Sequence, residues 1–318
     1  MDSFSSLIAS EQRLFPLLDQ RKQLGSQNVG EASFSSLIDD AELIYLYDGS
    51  LEGMLSAVFA AFQRHENPED IVTSHALQES LLSSYVPVQT EEPLAARVRN
   101  GILEKLGDSA YEDVKKVFLS DAPHKGGVIF RYLHYAFTAG RWSFTHLAEP
   151  AVADFLEIRR QVESEAHHML MFVRFAQLSN GMFYAHIEPK ASVVPLITDH
   201  FAQRLNVQPF IIYDSVHNLA SVFDTERWWL VSADEINAAE HSRAEDDFQS
   251  LWQTFYDTIA IEERRNPTCQ RNFMPKRFWG NMCEHIPPEL RKQKPTTKTP
   301  THAARLQAAG QKLLEEPA

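Results

Sequence analysis

The 318-residue chain has only two cysteines, Cys269 and Cys283. That is too few for a disulfide framework or a four-cysteine iron–sulfur cluster, and it points to a reducing compartment. No apolar run approaches the ~18–20 residues that a membrane span needs. The opening MDSFSSLIASEQ lacks a basic stretch followed by an apolar one, so no secretory signal is expected. These absences together predict a soluble, cytoplasmic protein that makes no membrane contact. Positive charge is also short: 30 Lys and Arg stand against 43 Asp and Glu, a net charge of −13. This argues against a protein that coats nucleic acid by bulk charge and leaves room for a local basic site. The phosphate loop Gly-x-x-x-x-Gly-Lys, the dinucleotide turn Gly-x-Gly-x-x-Gly, the nucleophile elbow Gly-x-Ser-x-Gly and the zinc motif His-Glu-x-x-His are missing. Common nucleotide hydrolases, dinucleotide oxidoreductases and zinc peptidases lose their support, and no cofactor or metal is expected.

What is present is an ordinary globular composition, 44% hydrophobic and 23% charged, enough to build a sizeable core. Three regions are expected: an N-terminal arm over residues 1–40, one α+β domain over residues 41–285, and a basic tail over residues 286–318. The arm holds the hexamer Ser-Phe-Ser-Ser-Leu-Ile twice, at Ser3 to Ile8 and Ser33 to Ile38. It reads either as a docking motif used twice or as a chance duplication. Leu43 to Tyr47 reads as a strand. Asp48-Gly49-Ser50 is a turn with an N-cap for a helix that carries apolar residues at Leu51, Met54, Leu55, Val58, Phe59 and Phe62. Residues 66–90 read as a connector with a short extended piece around Tyr85 to Val88, and helical spacing then dominates from Pro93 to Gln177. Short extended runs follow at Phe183–Ile187, Phe210–Tyr213, Leu219–Phe223 and Trp228–Val231, the last three spaced like an antiparallel meander. Helices are expected near Val194–Leu205 and Ala244–Glu263. The expected architecture is a helical layer on a mostly antiparallel sheet, which the Leu43–Tyr47 strand could join.

Three stretches carry chemistry. On the long helix before Gln177, Glu165 and His168 share one flank of the apolar stripe and Arg174 lies on the other. Glu-x-x-His is half of a di-metal carboxylate set, and edge-of-core ion pairs are the plainer alternative. Further on, His200 and Arg204 share a helix face that could hold a phosphate, with His200 available for proton transfer; a solvated face is the alternative. Asp214, at the end of a strand, could orient the His200 imidazole or simply cap its own turn. Finally, residues 264–279 interleave Arg264, Arg265, Arg271, Lys276 and Arg277 with Phe273, Phe278 and Trp279. Cations for phosphates and flat rings for bases are what single-stranded nucleic acid requires, while an irregular segment pinned to the body by its aromatics is the competing account. Residues 264–312 carry a local charge of +9 against −20 for residues 1–263. Cys269, Cys283 and His285 make a poor zinc set, having no Cys-x-x-Cys.

In order, Tyr47-Asp48-Gly49-Ser50-Leu51-Glu52-Gly53, Val98-Arg99-Asn100-Gly101-Ile102 and Val162-Glu163-Ser164-Glu165-Ala166-His167 with Arg174-Phe175 resemble one bacterial family. Tyr184-Ala185-His186-Ile187-Glu188-Pro189, His200-Phe201-Ala202-Gln203-Arg204, Ile212-Tyr213-Asp214 and Met274-Pro275-Lys276-Arg277-Phe278-Trp279 continue the match. The family is that of DNA metabolism and repair proteins carrying domain of unknown function 4130, and the resemblance covers roughly residues 42–285. It implies a radical S-adenosylmethionine protein as a partner in trans. Similar domains occur fused to uracil-DNA glycosylase-like domains, for which too few residues follow here. It assigns no reaction. The resulting expectation is an accessory or processing factor in DNA repair that binds single-stranded or damaged nucleic acid, DNA in the first instance. Its site would use Arg174, Arg204, Arg264, Arg265, Arg271, Lys276, Arg277, Phe278 and Trp279, with Glu165, His200 and Asp214 as catalytic candidates. Glu165, Arg174, His200 and Arg204 would then converge on one pocket. An enzyme acting on a nucleotide or modified base, or a scaffold for the radical partner, are the alternatives.

Overall fold

The computed structural model describes residues 42–74, 83–232 and 242–285. The arm, both hexamers and the basic tail lie outside the described residues. Contacts divide the chain into two compact units, with the boundary between Glu163 and Ser164, where the sequence reading treats residues 41–285 as one domain.

The first unit opens with β1 (Glu42–Tyr47) and α1 (Leu51–Arg64). The turn between them works as the sequence implies. Gly49 takes φ +92°, Ser50 Oγ accepts from Gly53 N at 2.8 Å, and Asp48 accepts from Ser50 N and from Thr90 Oγ1. α1 ends at His65 in the left-handed region, which turns the chain back. β2 (Asp70–Thr73) and β3 (Ser83–Pro87) then pair in parallel on either side of β1. The Leu43–Tyr47 strand therefore belongs to its own three-stranded parallel sheet, not to the later one. The helix that follows it brings the chain back to the same end, and that connection imposes parallel pairing. α2 (Glu92–Lys105), α3 (Asp108–Phe118), α4 (Lys125–Ala139) and the start of α5 (Pro150–Phe172) complete the layer. Tyr45, Met54, Ile102, Val114, Ile129, Leu133 and Phe155 form its buried centre, with the Tyr132 ring stacked on Phe155 at 3.8 Å.

α4 has no cap from its own N-terminus. Asp70 supplies one from β2: its Oδ1 accepts from Gly127 N and Ile71 N, both at 2.8 Å, and its Oδ2 meets His124 Nδ1 at 2.8 Å. A carboxylate at the positive end of the helix satisfies donors that would otherwise be orphaned. The approach is so close that a Cβ on Gly126 would sit 1.9 Å from the Ile71 carbonyl oxygen.

The second unit holds a five-stranded sheet of β4 (Ala176–Gln177), β5 (Phe183–Ile187), β6 (Phe210–Asp214), β7 (Leu219–Phe223) and β8 (Trp228–Ser232), in that order. β6, β7 and β8 form the expected antiparallel meander. β5 and β6, however, are parallel and are joined through α6 (Val194–Arg204). The α+β class holds, and the sheet is mostly but not purely antiparallel, with three antiparallel pairings and one parallel. Buried Val194, Ile197 and Phe201 are the core side chains of α6, and Phe210 and Ile212 those of β6. On the opposite face, Ile211, Ala220 and Val222 cluster with Tyr184 and Tyr213. α5 stops at Phe172 rather than Gln177. Arg174 folds back to donate to the Met171 and Val173 carbonyls at 3.2 Å, meeting the negative helix end with a cation. α7 (Arg243–Ile259) and the short α8 (Pro267–Phe273) follow, then 3-10 turns at Lys276–Asn281 and Cys283–His285.

The contact at Gly126 gives a sharp test. Gly126→Ala should cost about 2–4 kcal/mol in urea unfolding, because backbone of β2 and not a flexible side chain blocks the new methyl. Gly280→Ala, with nothing within 4 Å, should stay within about 0.5 kcal/mol of wild type.

Candidate nucleic-acid interface

The segment from Arg264 to His285 contains five Lys or Arg and a single acid, Glu284. Its shape is set locally by Asn266, whose side chain accepts from Cys269 N and starts α8, and by Pro267 and Pro275, which fix φ where helical turns begin. Two charged pairs tie it to the rest of the unit. Arg277 grips Glu165 with two parallel bonds, Nη1 to Oε1 at 2.6 Å and Nη2 to Oε2. Lys190 N donates to the same carboxylate at 3.0 Å. Arg174 donates from Nε and Nη2 to Oε1 of Glu284, at 3.2 and 2.9 Å.

Both carboxylates are buried. Burial raises the pKa of Glu165, but the Arg277 bonds, Lys190 N and the Arg277 charge outweigh it and leave it below the ordinary glutamate value of 4.5. Glu284 is likewise pushed up by burial, yet lowered on balance by a backbone hydrogen bond and by Arg174. His168 falls below its usual value because burial disfavours its charge, and its buried Nδ1 has no hydrogen-bond partner among the described residues. Beside Glu284, burial and that neighbouring carboxylate raise the Cys283 thiol to about 11, so it is protonated at neutral pH.

The cationic segment is thus split. Arg277 and Arg174 are committed to carboxylates. Phe278 is buried at 6% exposure among Phe172 and His168, and the Arg277 guanidinium lies over its ring. For these residues the pinning account describes the geometry. Arg264, Arg271 and Lys276 remain exposed. Phe273 is 78% exposed, an unusual state for a phenylalanine. Trp279 is half-buried: its Nε1 donates to Met274 O at 3.0 Å and its ring stacks on His285 at 4.8 Å. Arg265 is also exposed and takes part in an interaction of its own. Close to Arg277 and Phe278, a narrow crevice is lined by Met169, Phe172, His186, Glu188 and Asn281.

The four-residue pocket expected from the sequence is not what these contacts build. Glu165 and Arg174 take separate partners. His200 and Arg204 are exposed on α6, and among the described residues no ion pair or side-chain hydrogen bond reaches either; the His200 ring touches its neighbour Phe201. Asp214 is fully buried and faces His217, not His200. It accepts from Val216 N, from His217 N and from His217 Nδ1 at 2.6 Å, so the turn-capping role is the one realised. Sequence reasoning missed Glu284 as a partner. It also missed His186, whose Nε2 lies 2.8 Å from Ser215 Oγ and whose ring stacks on Tyr213. The His186–Tyr213 pairing follows from strand register and has no local signal. Among the described residues no group of three or more His, Cys, Asp or Glu is placed to hold a metal ion.

A mixed-sheet α+β protein with an ordered cationic–aromatic segment is the class these features define. The chain matches the model of the family described as a domain of unknown function, DUF4130, over residues 123–284, half of its length, and it belongs to that family. No curated protein matches it. Among solved structures it is similar to a DHH domain described as a member of a family of ribosomal proteins. The identity is 12% and the TM-score 0.22, over 59% of this chain and 74% of that one, a likeness too remote to define the fold.

Glu165→Gln should lower stability by about 1–3 kcal/mol at pH 7, because it leaves Arg277 without its buried counter-charge while Arg277 itself keeps some solvent. The sign with pH follows from a folded pKa below the unfolded one: the stabilisation is complete above about pH 4.5 and fades as pH falls through the folded value. Urea titrations of both proteins at pH 7 and near pH 3 should therefore give a gap that narrows in acid.

Proposed function

We propose that this protein binds single-stranded nucleic acid through the exposed part of the 264–285 segment and serves DNA metabolism in that way. The observation that carries the reading is Phe273, a ring standing in solvent beside Arg271 and within three residues of Lys276, on a chain that is otherwise strongly acidic. An exposed ring gives a base a stacking surface and the cations meet flanking phosphates. The Glu165–Arg277 and Arg174–Glu284 pairs support the reading by holding the segment in one shape, so that little ordering entropy opposes binding. Net charge of −13 confines attraction to this patch and repels the strand from the rest of the surface. In this reading Arg277 and Phe278 position the segment and do not touch the strand. The resemblance to DNA metabolism proteins favours DNA, and it supplies a radical S-adenosylmethionine protein acting in trans as the partner.

Fluorescence anisotropy with a labelled oligothymidylate should give measurable affinity near 50 mM salt that falls about tenfold or more by about 200 mM, as a few phosphate contacts release counterions. Phe273→Ala should weaken binding by about 1–3 kcal/mol and leave the salt slope unchanged, whereas Lys276→Ala should reduce the slope by about one. Absence of binding at low salt contradicts the proposal.

A further inference from the structure

α7 is mounted the wrong way round for a helix that belongs to a lone chain. The face against the rest of its unit is polar. Glu245 accepts from Gln177 N at 3.0 Å and from Gln249 Nε2 at 2.8 Å, Gln253 donates to the Cys283 carbonyl at 2.9 Å, and the Tyr256 ring meets the edge of His285. These positions fall within about 80° of one another at 100° per residue. About 100° further round lie Phe248, Leu251, Trp252, Phe255 and Ile259, with exposures of 62, 67, 37, 50 and 57%. Ile261, 52% exposed, extends the stripe past the helix end. The third face carries Asp246, Ser250, Thr254 and Asp257 and is solvated. Spacings of three and four residues make a continuous apolar seam with no charge inside it. Scattered exposed apolar residues need no explanation, but a seam of this size does.

We infer that this seam pairs with the same seam of a second copy, α7 against α7 in antiparallel across a two-fold axis. A two-fold contact must be self-complementary, and this stripe is: Phe248 would meet Ile259 of the second copy while Trp252 and Phe255 of both copies cluster at the axis. Five or six large side chains at about half exposure, three of them aromatic at 150–250 Å² each, put on the order of 500–600 Å² per copy into the seam. The two sides together come to about 1,100 Å², which clears the ~1,000 Å² a specific interface needs before the polar flanks are counted. Two copies each at −13 repel one another at long range, so the pairing tightens as salt rises. That trend is opposite to strand binding and keeps the two claims separable.

Sedimentation velocity on the full chain, from about 1 to about 100 µM, tests it. The expected result is a monomer–dimer equilibrium that shifts toward dimer between about 50 and about 500 mM salt. Phe255→Glu should weaken it at least tenfold, roughly the effect of losing one buried anchor, with the far-UV circular dichroism and melting temperature kept because the side chain is half in solvent. Leu251→Glu, more exposed still, serves if the first variant does not fold. A wild-type chain that stays monomeric at the highest concentration in both salts, as it would if its own N-terminal hexamers occupied the seam, overturns the inference. So does a dimer that both glutamates leave intact.

Discussion

The bidentate contact between Arg277 and Glu165 is the constraint on which the shape of the second unit's 264–285 segment depends. It joins positions 112 residues apart and places the Lys276–Asn281 turn against α5. Phe278 is buried as a consequence, and Trp279 is left half-covered by His285. Only arginine can do this with one side chain, since the guanidinium fork matches both carboxylate oxygens. The Arg174–Glu284 pair secures the far end of the same segment while its guanidinium also closes α5. Two of the unit's cations are therefore structural, and the surface chemistry rests on those left over.

Much of the fold can be read in the residues. The Asp48-Gly49-Ser50 turn, the apolar face of α1 and the β6–β7–β8 meander follow from turn chemistry and periodicity. β2 escapes such a reading because it is four residues long and begins with Asp70, whose role is to cap a helix fifty-odd residues away. The parallel pairing of β5 with β6 escapes it because neither strand's own pattern distinguishes parallel from antiparallel neighbours.

The candidate site was legible by type and not by partner. A helical wheel places Glu165 at the edge of an apolar stripe, where an ion pair is natural, but carries no information about a guanidinium 112 residues later. Asp214 shows the opposite case: its partners Val216 and His217 lie two and three residues away, within reach of local turn rules. α7 was expected as a helix, yet periodicity alone assumes that an apolar stripe faces the core. Here the inward contacts are made by Glu245, Gln253 and Tyr256, so the stripe points elsewhere. The second unit consequently presents two surfaces of different character, one with exposed Arg264, Arg271 and Lys276, the other with the apolar stripe of α7.

Hydrogen–deuterium exchange with and without an oligothymidylate of about twelve nucleotides at low salt tests the central claim most directly, because it locates contact along the backbone. The account predicts slowed exchange over residues 264–281, with the amides of β6 and β7 unchanged. Protection confined to other parts of the chain, or no change over 264–281 at saturating oligonucleotide, would contradict it.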